Sequence, residues 1–330
     1  AMTTNTAGGT LNVAIGNYAL DALTSGDNNV AVGQNALGAN TTGNNNTGVG
    51  LSALVANTTG GSNVALGAVS LSTNTDGANN TGVGYAALKL NSTGARNTGF
   101  GRNALTANTT ANDNVAVGDL AMNTNTTGAT NVAVGAQALE ANTTASDNVA
   151  VGYKALEANT TGASNVAIGT QALLLNTTGS QNVAVGQHAL DSNTTGADNV
   201  AMGTDALQAN TTGNRNVAIG KDALTTSHNG DDCVAIGKGA LSANTGGENI
   251  AVGTSAADAN TSGVRNIAVG TNAYGASDTE NDNLAIGHSA MSTDTAGGTL
   301  NIAIGNYALD ALTSGDHNVA VGQNALGANT

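Results

Sequence analysis

The residues with the most chemical potential sit in one turn, His228-Asn-Gly-Asp-Asp-Cys233, the only place where His, Asp and Cys gather. An imidazole, two carboxylates and a thiol could ligate a metal, but a metal needs converging ligands at suitable spacing. A lone Cys beside adjacent acids reads more simply as a turn variation. Asp232 and Glu248 could stack as a carboxylate pair for hydrolysis. Arg215 and Arg265 flank them in the same column, so a neutralising ladder of charges is the stronger reading. Asn-Thr-Thr at Asn40, Asn57, Asn108, Asn142, Asn159, Asn176 and Asn193 is formally an N-glycosylation acceptor. The plainer reading is that Asn and Thr are good turn residues that stack well. A Thr array could suggest ice binding, but adjacent Thr residues in a turn point different ways. No nucleophile elbow, P-loop, dinucleotide motif or calcium-binding nonapeptide pattern occurs. The expectation is no catalysis, no cofactor and no metal.

These candidates are decorations on a repeat. Asn182-Val-Ala-Val-Gly-Gln-His-Ala-Leu-Asp-Ser-Asn-Thr-Thr-Gly-Ala-Asp198 is written again along the whole chain. Its opening Asn recurs every 17 residues from Asn12 to Asn216; Cys233 takes the next slot, and Asn249, Asn266, Asn283, Asn301 and Asn318 follow. A fixed short period means stacked units that contact mainly their neighbours. Nothing in the composition divides the array, so residues 1–330 read as a single continuous domain. Residues 1–41 match residues 290–330 at an offset of 289, with only Thr3/Ser292, Asn5/Asp294, Val13/Ile302 and Asn28/His317 differing. This suggests a window cut from a longer chain with a 289-residue higher-order repeat.

With no Pro, no Trp and a single Phe, an ordinary aromatic-filled core is excluded. The formal net charge of −14 comes from scattered acids. It disfavours nucleic acid and polybasic membrane docking, and it favours solubility. No apolar run approaches transmembrane length, so no membrane insertion is expected in this segment.

Numbering each repeat from its opening Asn, positions two to four (Val183, Ala184, Val185) show the alternation of a strand. Gly186 and its equivalents at position five mark a corner needing positive φ or close backbone approach. Ala189-Leu190 reads as a second short strand feeding the same core, and Asn193 to Gly196 reads as a turn. The period slips only in the turns, to 16 after Cys233 and 18 after Asn283, as expected when strands hold register and loops absorb indels. The fold predicted is all-β, a parallel β-solenoid (β-roll) of about nineteen 17-residue coils. Opening Asn side chains are expected to form an amide ladder. If Val183, Val185 and Leu190 line the interior, position three faces out. Its restriction to Ala or Gly then makes Ala184, Ala201, Ala218 and Ala235 an interface with sister chains.

Asn165-Val-Ala-Ile-Gly169 and Asn216-Val-Ala-Ile-Gly220 resemble the Asn-Ser-Val-Ala-Ile-Gly signature of YadA-like trimeric autotransporter adhesin heads. The Asn-Thr-Thr-Gly turns also resemble repeats of phage tail fibres. The adhesin-head resemblance implies a left-handed roll, three chains around one axis, and a cell-surface setting. The function expected is a structural extracellular, cell-surface or virion fibre shaft of identical chains joined laterally and end to end. The alternative is an adhesin head or tail-fibre receptor-binding module with a host-surface glycan or protein as partner.

Overall fold

Val, Ile and Thr flank a small residue at positions two to four of each coil, and β-branched side chains favour extended backbone there. The computed structural model describes residues 9–226, 230–276, 279–293, 298–312 and 314–327. In it each coil opens with a three-residue strand, and no helix occurs among the described residues. Two units are formed, residues 1–164 and 165–330. The first carries nine strands, from β1 (Val13–Ile15) to β9 (Val149–Val151). The second carries ten, β10 (Val166–Ile168) and β11 (Val183–Val185) through β12 (Val200–Met202) to β19 (Val319–Val321). Each unit is a parallel β-solenoid, as the period predicts. Val13 pairs with Val30 in the first unit; in the second, Val183, Ala184 and Val185 pair with Val200, Ala201 and Met202. Register survives both indels, with Val234 opposite Ile250 and Leu284 opposite Ile302.

The second strand predicted at Ala189-Leu190 does not form. That stretch is a turn in which His188 and Leu190 both take left-handed φ near +55°. A bulky residue in this region costs about 1–2 kcal/mol, yet Leu190 and its equivalents adopt it throughout. Two gains offset the strain. The Leu side chain is fully buried, and the backbone keeps bonding from coil to coil: Leu190 N–H to Ala206 O at 3.0 Å, and His188 N–H to Thr170 O at 3.1 Å. Slot seven of one coil is Gly239, which takes the same conformation at φ 66° without the Cβ penalty. Gly186 is more constrained. At φ 139° a side chain there would place its Cβ 2.5 Å from the Gly203 carbonyl oxygen, so backbone of the next coil occupies the space.

The interior differs from the sequence expectation. Ala184, Ala201, Ala218 and Ala235 are completely buried inside the chain that carries them. Val183 and Val185 are only half-buried on the outer side of the sheet, and Met202, Ile219 and Ile236 are more exposed still. Position three therefore points inward and positions two and four point out. Of the three supposed lining residues, Leu190 alone is interior. The reason is room. At Gly48, a Cβ would already lie 3.3 Å from both the Leu37 Cγ and the Ala53 carbonyl oxygen, so the coil holds a methyl there and little more. The Ala column is small because backbone of its own coil and the Leu of the preceding coil are close. It has no surface to offer a sister chain.

Ala184→Asp should thus cost about 3 kcal/mol or more by placing an unpaired charge in the apolar half of the core. Val185→Asp should change stability by about 1 kcal/mol or less. Thermal melts of the two variants check the orientation, and equal shifts would contradict it.

Candidate functional site

The turn His228-Asn-Gly-Asp-Asp-Cys233 divides between inside and outside. His228 and Asn229 lie outside the described residues. Asp232 points outward and takes a bidentate pair from Arg215, at 2.7 and 2.8 Å. Asp231 accepts the Asn214 backbone N–H at 2.7 Å. Cys233 points inward and is fully buried. Burial pushes its thiol above the ordinary range, which keeps it protonated and unreactive. Its sulfur lies 3.3 Å from the Gly246 carbonyl oxygen and accepts the backbone N–H of Asn249. It thus stands in for the Asn oxygen normally found in this slot. Carboxylates and thiol on opposite sides of the wall cannot converge on one ion. Among the described residues no cluster of three His, Cys, Asp or Glu could hold a metal, and no pocket opens.

The acid pair Asp232 and Glu248 stays on the exposed surface, where Arg215 takes up the Asp232 carboxylate. Arg215 holds the Asp232 carboxyl below its usual range through a side-chain hydrogen bond, opposite to the raised pKa of a general acid. The same arrangement recurs between Arg96 and Asp113 and between Arg265 and Asp282. Each Arg meets the Asp one coil on, as the column reading expected. Because these Asp values are lowered, their contribution is present above about pH 4 and fades as acid protonates them. All of them are exposed, so the effect is small.

What the side chains do is bond coil to coil in buried columns. The Asn182 backbone N–H donates to Asn165 Oδ1 and the Asn199 N–H to Asn182 Oδ1, both at 3.0 Å. Asn182 Nδ2 donates to the Gly196 carbonyl at 2.8 Å. A second ladder runs through position twelve, where sequence reading placed only a turn. Asn193 Nδ2 donates to Asn176 Oδ1 at 2.8 Å and to the same Gly196 carbonyl at 3.0 Å. In the first unit this ladder runs unbroken from Asn40 to Asn159, with steps of 2.7–3.2 Å. A signal for it was present. A turn accepts Asp as readily as Asn, yet slots from Asn40 to Asn210 hold only Asn in a chain with 22 acidic residues. Outside these columns, Thr194 Oγ1 donates to the Thr211 carbonyl at 3.0 Å, and the equivalent Thr residues of other coils do the same.

This geometry removes the glycosylation reading for the folded chain. Asn40, Asn57, Asn108, Asn142, Asn159, Asn176 and Asn193 are completely buried, and each Nδ2 is committed to hydrogen bonds inside the coil.

One coil solves the same problem differently. Slot twelve after Asn266 is Ser277, which lies outside the described residues, and slot nine is Tyr274 in place of Leu. The buried Tyr274 hydroxyl donates to the Glu280 carbonyl at 3.3 Å and accepts from Asn283 Nδ2 at 2.8 Å. It serves the position-fifteen carbonyl that an Asn at slot twelve would otherwise serve.

No protein-family model matches the chain, and no curated protein is significantly similar to it.

Two outcomes follow for the ladders. Asn193→Asp puts a carboxylate against the Asn176 Oδ1 and the Gly196 carbonyl, and should cost about 3–5 kcal/mol at neutral pH. Its folded pKa is raised above about 3.9, so the deficit should be smallest in acid and grow as pH rises from about 4. Leucine already fills this slot at Leu23 and Leu312, so Asn193→Leu should show a deficit independent of pH; melts across pH 3–8 compare the two. At the variant coil, Tyr274→Leu should cost about 1–3 kcal/mol. Adding Ser277→Asn should recover much of it, a coupling read by a double-mutant cycle.

Proposed function

We propose that this chain is a non-catalytic structural segment of an extracellular or virion fibre, a shaft made of stacked β-solenoid coils. The observation carrying this reading is repetition. Within each unit the same kinds of backbone, Asn and Thr bonds recur from coil to coil. A scaffold that spends its polar side chains on its own stacking keeps few for substrates. The resemblance to adhesin heads and tail fibres, carried by Asn165-Val-Ala-Ile-Gly169 and the Asn-Thr-Thr-Gly turns, points the same way.

A receptor-binding module is the second reading. It draws on Tyr18, Tyr85, Tyr153 and Phe100, which expose large aromatic surface on different coils. Binding surfaces favour clustered aromatic anchors, and these are spread along the sequence. The shaft reading is therefore preferred.

Electron microscopy and fibre diffraction of the native material test it. The expected result is filaments outside the cell or on a virion, with a reflection near 4.8 Å along the fibre axis. Isolated particles without that axial repeat would contradict the shaft reading. Terminal globular density binding a surface glycan would favour the second.

A further inference from the structure

Within the second unit both Asn ladders break in the same short stretch. Asn210 ends a run of the ladder at position twelve. Its Nδ2 donates to Asn193 Oδ1 at 3.0 Å, but its own Oδ1 is buried and meets no donor. The next position twelve is Ser227, which lies outside the described residues and carries a hydroxyl in place of the amide. One coil further, Asn244 sends its Nδ2 to the Gly246 carbonyl at 2.7 Å and to the Cys233 sulfur at 3.6 Å, not back to the preceding coil. The ladder at position one is weakened beside it. Cys233 N–H still donates to Asn216 Oδ1 at 2.9 Å. The Asn249 N–H, however, meets sulfur, a weak acceptor, where the next coil offers Asn266 N–H an amide oxygen at 2.9 Å. The coil opened by Cys233 is also the one shortened to 16 residues.

Three consecutive junctions, those below the coils of Asn216, Cys233 and Asn249, thus each lack one full-strength side-chain bond. Asn260 Oδ1 is a second unpartnered amide oxygen, but its surroundings differ. There the ladder at position one continues through Asn283, Asn301 and Asn318, and the Tyr274 hydroxyl supplies a substitute bond. The coil of Asn216 has Leu224 in that slot and no such substitute. Stability of a stacked repeat is close to a sum over coils and their junctions, so adjoining weak junctions open at less cost than the whole unit. We propose that the second unit opens first at this seam, from Asn216 to Glu248, exposing Cys233 while the coils of Asn165 and Asn182 stay folded. The buried thiol, the only one in the chain, reports the opening directly. The inference concerns the stack itself and holds whether or not the chain belongs to a fibre.

The test is thiol labelling of the full chain by dithiobis(nitrobenzoate) across mild denaturant, read beside global unfolding by circular dichroism. Cys233 should label through an opening at least about tenfold more populated than global unfolding, and with a smaller denaturant dependence. Ser227→Asn returns an amide to the gap and should slow labelling by on the order of tenfold. Asn176→Leu weakens the stack elsewhere in the unit. It should speed global unfolding yet leave labelling within about twofold of wild type. Hydrogen exchange needs no variant: residues 216–248 should exchange ahead of residues 165–199 and 266–286 in native buffer. Labelling that follows global unfolding with the same denaturant dependence would overturn the proposal. So would labelling of Asn176→Leu that accelerates in step with its lost stability, wild-type labelling of a folded Ser227→Asn, or even exchange across the unit.

Discussion

A buried amide must find its partners inside the protein, and in this chain the partners lie on the adjacent coil. The buried Asn residues at positions one and twelve present donors and an acceptor where bulk solvent does not reach. The cost of leaving one unmade is about 1–3 kcal/mol, and it recurs every coil. Repeating the same coil, displaced along the stack, satisfies nearly all of these groups, Asn210 Oδ1 and Asn260 Oδ1 excepted. This explains why the period holds at the strands. A 16- or 18-residue coil is tolerated because its extra or missing residue lies in a turn, leaving Val234 opposite Ile250 and Leu284 opposite Ile302.

The core is consequently divided. One half is polar and built from the two Asn columns; the other is apolar, with Ala at positions three and eight and Leu at nine. The apolar half is narrow, which fixes position three as Ala or Gly. Ser70 shows how tight the balance is. It takes an Ala slot, and its hydroxyl donates to the Gly82 carbonyl at 3.0 Å. A methyl on Gly82 would collide with that oxygen, so the serine in one coil goes with the glycine in the next.

Much of this was legible in the sequence, and the failures have physical causes. The period, the strands, the corner glycine and the Arg–Asp column are written as repeated residue types. The inward face was hard to read, because sixteen of the nineteen strands are apolar at all three places and only Thr47, Thr81 and Thr98 at position two mark that side as outward. Small size at position three was read as close approach of another chain, whereas the close surface is Leu and backbone of the same chain. The second Asn ladder was hidden by turn chemistry, since Asn-Thr-Thr-Gly satisfies the turn rules by itself. Tyr274 and Ser277 gave a hint of it: a bulky hydroxyl enters in one of the coils that lack the amide.

The inversion of the strand changes where partner chemistry can lie. Had position three faced out, the coil would have presented a smooth column of methyl groups with its β-branched residues hidden. With positions two and four outside, the coil stacks through polar bonds and keeps its broadest apolar surface in water. These two interactions respond to different conditions. Amide ladders are internal and little affected by salt, whereas the outward apolar side chains meet water beside the field of a chain of charge −14, which salt screens. Coil formation and the outer apolar face therefore depend on different residues. Substitutions at positions one, three and twelve act on the first, and those at positions two and four act on the second.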